Sequence, residues 1–549
     1  MAPQSPVGTS TITIESLGEV QGLKFANGVR QFTGIPYADL AKRWTRSTLK
    51  TSWDEKKRFH DGTKLGSSAP NPPEYKVGPD LLIPVPDVEH HGVPPEDEIR
   101  CLVMNITIPH EGAGKNLPVM LYIHGGSFLY GGANRSIFDG VNFVSHSIER
   151  GTPVIAVNFN YRVGLGGFLA SEAIRAELQK DGFEGCGNFG LYDQQVAIHW
   201  VNRYIGSLGG DPQNVTLYGE SAGGMSVSHQ LAAKNPAPFQ RAIAMSGHLN
   251  TIPTWTLERH EKHYRALLQY LKIDPDTTDS LEQLRKIPEE TVAAATVPVE
   301  GVFVCTGNPC DDGNFHASPP SFDTIQAPPA WLKAYVVGDT RDEGMIFRMS
   351  LAEETPESIR ARMAQHMDEK HVDAILRLYE VTPKTKGQEF IDKMETMAGD
   401  AIFRVHNWVA VHKPSSVPTY GYHFDQVSTF DHALKGLAYH AIDLMYVFLN
   451  YEQFMTPTEV KLARQIASDF QDFAYGKEPW PPVGVHGRWM RYGPNDGSCV
   501  VTEQEDESVR RYGRTREILD TGVYSKLIAA IDDIVVKRWR MGSFERSLN

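Results

Sequence analysis

The sequence predicts an α/β fold, an open and mainly parallel sheet with helices on both faces. Three observations predict it. Residues 118–123, 152–159, 241–247 and 334–338 are short, nearly continuous apolar runs of strand length, as expected of strands buried on both faces. Segments of helical period lie between them, the alternation that builds parallel sheets. A further apolar run, Asn214-Val-Thr-Leu-Tyr218, turns sharply at Gly219-Glu220-Ser221-Ala222-Gly223-Gly224 and continues into a helical stretch, 225–233. A serine on so tight a strand-to-helix turn needs small neighbours, because its backbone is strained and the helix packs close to the strand. Chance alone gives a G-x-S-x-G somewhere in such a chain with odds of roughly one in four. The flanking strand, the helix and partners elsewhere must therefore carry the reading.

In chain order, residues 11–35 alternate polar and apolar with Gly turns and predict short antiparallel strands at a sheet edge. Residues 66–98 are rich in Pro and Gly and predict a long irregular loop. Residues 101–108 form a strand, and strand 118–123 runs straight into His124-Gly125-Gly126-Ser127-Phe128. Gly164-Leu-Gly-Gly-Phe-Leu169 fails as a dinucleotide fingerprint, because its sixth position is Leu and no helix opens there. Residues 192–205 form an amphipathic helix, with Val196, Trp200 and Tyr204 in one stripe and Ala197, Val201 and Ile205 in the next. Helical patterns at 256–330 and 350–412 predict lid or cap insertions into one domain spanning 1–549. Between them, strand 334–338 leads into Asp342-Glu343-Gly344. Residues 420–424 are expected as the last core strand and 525–540 as a closing helix.

The chain has 549 residues, enough for a large core, and a net charge of −13. That charge argues against nucleic acid and anionic membrane as main partners. No apolar run reaches the length of a membrane span. The first residues have neither a basic nor an apolar signal region, which with five sparse cysteines predicts a cytoplasmic protein. Cys305 and Cys310 are close enough in sequence to bridge, but no accompanying pair or His cluster makes them a zinc site. The sequons at Asn105, Asn134 and Asn214 are read as chance matches.

An acyl-transfer serine needs a base, an acid to orient it and donors for the oxyanion. After a strand-to-helix serine the acid and the histidine follow in the chain. The backbone N–H groups of Gly125, Gly126 and Ala222 are candidate donors. Of 20 histidines, thirteen follow Ser221, among them His316, His406, His432 and His440. Physical reasoning alone leaves the choice among them open.

Several segments together resemble the type-B carboxylesterases, the cholinesterase-like branch of the α/β-hydrolases. They are Phe32-Thr-Gly-Ile-Pro-Tyr-Ala38, Tyr122-Ile-His-Gly-Gly-Ser-Phe128, Asn160-Tyr-Arg-Val-Gly164, Gly187-Asn-Phe-Gly-Leu-Tyr-Asp-Gln194, Gly209 through Gly224, and Asp342-Glu-Gly344. The resemblance runs from about residue 15 to 450 and implies an α/β-hydrolase fold. It also implies Glu343 as the acid. Its base is a His followed three residues on by an acid and then by an aromatic-Val-Phe segment. His440-Ala-Ile-Asp443-Leu-Met-Tyr-Val-Phe448 fits that description, with His432 the runner-up. Ala441 stands where the family usually has Gly, and Asp443 where Glu is commoner.

Ala69 replaces the cysteine that the family often bridges to the position of Cys101, which supports an intracellular enzyme. Residues 70–100 hold no Trp, so a choline ester is not expected. The resemblance places Glu220 in a buried carboxylate network with Asp443, in which one carboxyl keeps a proton near neutral pH. Phe128 and Trp255 are candidate pocket residues beside Glu220. The implied activity is hydrolysis of uncharged, small-molecule carboxylic esters, with no cofactor or metal. Acyl transfer or lactone formation from the same acyl-enzyme is a rival. A non-catalytic cholinesterase-like interaction module is another, disfavoured by the intact Ser221, Glu343 and His440.

Overall fold

The computed structural model describes residues 4–53, 58–73, 94–296, 307–325, 327–352, 354–495 and 497–547. Twelve strands follow one path through the main sheet. They are β1 (Gly8–Ile14), β2 (Gly18–Lys24), β3 (Arg30–Pro36), β4 (Val103–Ile108), β5 (Leu117–Ile123), β6 (Ile155–Phe159), β7 (Gly210–Glu220), β8 (Arg241–Met245), β9 (Ala334–Thr340), β10 (Thr419–Phe424), β11 (Arg488–Tyr492) and β12 (Cys499–Thr502). The spatial order is β1-β2-β3-β4-β6-β5-β7-β8-β9-β10-β11-β12. The run from β6 to β11 is parallel throughout. The antiparallel pairs lie at the ends, β1 to β4 with β6 on one side and β12 on the other.

Strand alternation divides the interior into two cores. On β5, Val119, Leu121 and Ile123 enter one core while Met120 and Tyr122 enter the other. On β7, Leu217 and Tyr218 divide the same way. A parallel strand buried on both faces has no polar side to present, which is why these segments read as continuous apolar runs. The open, mainly parallel sheet with helices around it is the architecture the resemblance implies. The sheet does not end at β10, as the sequence reading expected. β11 and β12 extend it, and the Arg residues that interrupt β11 (Arg488-Trp-Met-Arg-Tyr492) hid it from an apolar-run criterion.

Five helices pack around the sheet and its cleft. They are α1 (Phe189–Tyr204), α2 (Ala222–Leu231), α3 (Asp443–Phe448), α4 (Pro457–Ala474) and α5 (Tyr524–Ser547). Helix α1 buries Ala197, Trp200, Val201 and Tyr204, the expected stripes, but starts three residues earlier than the pattern suggested. Left-handed Asn188 (φ 57°) sets that start. The buried Arg162 binds Asp193 of α1 through Nε and Nη2, both at 2.7 Å, and Ser47 adds a third contact at 2.6 Å. Behind the sheet, the fully buried Arg510 donates to Asp339 (2.8 Å) and Asp425 (2.5 Å). It thereby clamps the ends of β9 and β10 just before the Glu343 turn. A buried guanidinium is tolerated only when paired in this way.

The two stretches expected as insertions contain helices Leu257–Tyr270, Ser280–Arg285 and Glu289–Ala294, then Pro356–Met363, Glu369–Leu378, Gly387–Gly399 and Val405–His412. Much of the long loop expected at 66–98, including 74–93, lies outside the described residues, as does Cys305. No helix among the described residues is long and apolar enough to cross a membrane. No group of three His, Cys, Asp or Glu side chains among them is placed to hold a metal ion.

Candidate active site

Ser221 sits between the end of β7 and the first residue of α2 with φ 56° and ψ −124°, a backbone region that side chains rarely occupy. The turn can be this sharp because Gly223 packs against β5. A Cβ on Gly223 would fall 2.0 Å from the carbonyl oxygen of Ile123. The Ser221 N–H donates to Met245 O at 2.9 Å, which fixes the turn to the end of β8. The side chain is left on a cleft above the carboxyl ends of the strands, where open α/β sheets place their ligands.

His440 and Glu343 come to the same place from loops after β10 and β9. His440 Nδ1 lies 2.5 Å from Glu343 Oε2. Glu343 Oε1 accepts the Thr340 N–H at 2.7 Å, so both carboxylate oxygens are engaged. His440 Nε2 lies 3.3 Å from Glu220 Oε1 and, like Ser221, lines the cleft. His432, the runner-up, hydrogen-bonds Ser428 and is not part of the cleft wall.

The carboxylates set the charge of this imidazole. Burial alone pushes His440 down, but Glu220 and then Glu343 outweigh it and raise it to about 9. Asp443 is buried behind them and accepts the Tyr422 hydroxyl at 2.8 Å. Burial raises its carboxyl to about 7, so near neutral pH this carboxyl is often protonated.

Gly125 and Gly126 form the cleft wall facing Ser221. Gly126 has φ 109°, and a Cβ there would fall 2.1 Å from Tyr130 O, so no larger residue fits. Their N–H groups donate to no protein acceptor among the described residues, which leaves them available to a ligand oxygen. Ala222, buried, opens α2, where the first N–H groups of a helix have no intrahelical acceptor. His124 braces the loop, with Nδ1 2.8 Å from Gly125 O and its ring stacked 4.3 Å from Tyr161. Burial lowers its imidazole to about 4, so it stays neutral.

Of the pocket residues named from sequence, Glu220 lines the cleft but Phe128 and Trp255 do not. Phe128 is fully buried against Phe168 at 4.8 Å. Trp255 is buried under the Arg259 guanidinium, 3.6 Å from its ring centre. The lining instead draws on Met225, Thr251 and Ile252, Ile346 and Phe347, Ile402 and Phe403, Leu444, and Val535 of α5. Ile402 and Phe403 lie on a π-helical turn, Asp400–Arg404, which puts the Phe403 ring 4.9 Å from His440. Such turns recur at functional sites, but nothing in residue periodicity announces one.

The sequence profile described as the Carboxylesterase family matches residues 8–518. Lipase 3 of Yarrowia lipolytica is 29% identical over 478 residues, 84% of this chain and 88% of its own length. The para-nitrobenzyl esterase of Bacillus subtilis is 30% identical over 460 residues, 81% of this chain and 84% of its own. A solved structure of a PNB esterase superposes with a TM-score of 0.72 at 25% identity, covering 92% of this chain and 99% of that one. The chain therefore belongs to the carboxylesterase family and is a carboxylic ester hydrolase of the α/β-hydrolase fold.

Proposed function

We propose that this chain is a serine esterase acting on uncharged carboxylic esters through a Ser221–His440–Glu343 triad and an acyl-enzyme. The observation that carries the reading is the 2.5 Å contact with Glu343 of His440, which lines the cleft onto which Ser221 opens. Ser221 Oγ attacks the ester carbonyl while His440 Nε2 takes its proton and returns it to the leaving alcohol. Glu343 holds the proton on Nδ1, so that Nε2 is the free base. Gly125, Gly126 and Ala222 receive the oxyanion, each such donor being worth about 10²–10³ in rate. Water then takes the alcohol's place and the same base activates it. The mostly apolar lining supports an ester with apolar acyl or alcohol groups.

A fluorophosphonate probe tests this without knowledge of the substrate. Intact-mass analysis is expected to show one adduct on the wild type and on His432→Ala, and none on Ser221→Ala. A folded wild-type chain that takes no adduct would sink the reading.

The carboxylates around His440 set a pH dependence. A base raised to about 9 is protonated at neutral pH, and only its neutral form can accept the serine proton. The acidic limb of kcat/KM should therefore lie above the ordinary histidine value, with activity rising toward pH 9. Glu220→Gln removes the largest carboxylate influence and should move that limb to lower pH. A limb that stays put or moves up in Glu220→Gln counts against this account.

A further inference from the structure

Cys186 and Cys310 are 124 residues apart in the chain, yet their Sγ atoms are 3.7 Å apart. With Ala170 and Leu257 they fill a small apolar cluster separate from the two main cores and from the cleft. Cys186 ends the loop that leads into α1. Cys310 begins a two-residue strand of the first insertion, Cys310–Asp311, paired in parallel with Trp255–Thr256. The two backbones are already locked together. Asn188 donates from Nδ2 to Cys310 O and accepts from Cys310 N–H through Oδ1, both at 2.8 Å. The other thiols among the described residues have different surroundings: Cys101 lies against Glu98 O and Cys499 is exposed beside Arg491.

We propose that Cys186 and Cys310 form a reversible disulfide, a covalent staple between the entry to α1 and the first insertion. A disulfide needs its sulfurs about 2.05 Å apart, so the two Sγ atoms must close the present 3.7 Å between backbones so fixed. The hydrogen bond from Cys310 lowers the Cys186 thiol below its ordinary range, burial works against this, and Arg175 adds to the lowering. Cys186 is thus the first nucleophile; its side chain is buried, so a reagent reaches it by local opening of the segment whose residues 181–184 are exposed. The oxidant is a low-molecular-weight disulfide. The Cys186 thiolate attacks it, forms a mixed disulfide and expels one thiolate. The Cys310 thiol, giving up its proton, then attacks Cys186 Sγ, forms the protein S–S bond and expels the second. Two protein thiols are oxidised and one external disulfide is reduced to two thiols.

The staple bears on the cleft. Asn308, two residues before Cys310, lines it and donates to Pro253 O at 2.6 Å. The bridge would hold that wall to the catalytic domain.

The test uses the full chain, reduced and then equilibrated with glutathione disulfide. Alkylation in denaturant, intact mass and non-reducing peptide mapping follow. Of the five cysteines, three are expected to remain alkylatable, with the Cys186 and Cys310 peptides linked and a Tm raised by about 2 °C or more. Cys310→Ser, which lacks the resolving thiol, should instead stop at the Cys186–glutathione mixed disulfide, read as one added glutathione on the Cys186 peptide with no linked peptides. Should that variant fail to fold, the wild-type map decides alone. Five free thiols in the oxidised wild type, or a Cys305–Cys310 link, overturns the proposal. So does a linked pair with no rise in Tm.

Discussion

Ser221→Ala is expected to lower kcat by about 10⁴–10⁶ while leaving the chain folded. The loss is large because the three groups act as one unit. Without the hydroxyl there is no acyl-enzyme, and His440 has no proton to take. Only the preorganised donors of Gly125, Gly126 and Ala222 remain to favour attack by water. Folding should be little affected, since alanine meets the same left-handed backbone cost that the serine already bears at φ 56°. The Ser221 N–H bond to Met245 O does not involve the side chain and is kept. Esterase assay on short and long acyl esters, with thermal unfolding in parallel, checks both halves. A folded Ser221→Ala chain that retains more than a few per cent of wild-type kcat would mean that another group is the nucleophile.

How much of this site could be read from residues depended on whether its signal was local. The serine turn was legible because its requirements fall within six residues. A strained serine calls for small neighbours, and Gly223 meets the Ile123 carbonyl too closely for anything larger. The proposed donor loop was legible for the same reason: Gly125 and Gly126 directly follow an apolar strand. The proposed acid and base were not. They stand 122 and 219 residues beyond Ser221, and no periodicity ties them to it. Among the many downstream histidines, only resemblance pointed to His440. The cleft wall was least legible. Its side chains come from the Ile346–Phe347 turn, the π turn at Asp400–Arg404 and the closing helix. Each of these looks like ordinary apolar patterning until the chain is folded. Trp255, a candidate pocket residue because it follows Ser246-Gly247, is packed under Arg259 and is not in the cleft wall.

Glu343→Gln should cost about 10⁴ in kcat, the scale of an acid-to-amide change in a Ser-His-Asp arrangement, although it alters neither the size nor the burial of the side chain. The geometry explains why so small a change is so damaging. One carboxylate oxygen accepts from the Thr340 N–H at 2.7 Å and the other faces His440 Nδ1 at 2.5 Å. A carboxylate can accept at both ends, whereas an amide accepts at one and donates at the other. With its NH₂ toward Nδ1, the introduced amide would need Nδ1 as an acceptor. The imidazole proton would then sit on Nε2, which could no longer take a proton from Ser221. With its NH₂ toward Thr340, two donors would meet head-on in a buried site, at a cost of roughly 1–3 kcal/mol for the unmet N–H. Neither orientation also supplies the negative charge that stabilises the imidazolium formed during attack. The loss should fall on kcat and kcat/KM alike, since Glu343 does not line the cleft and is not placed to bind the ester directly. Kinetics on Glu343→Gln beside Glu343→Asp separate geometry from charge. Aspartate keeps the charge but is one methylene shorter, so recovery by Asp and not by Gln would assign the larger part of the effect to charge. Equal loss in both would assign it to the position of the carboxylate, and a nearly active Glu343→Gln chain would remove Glu343 from the triad.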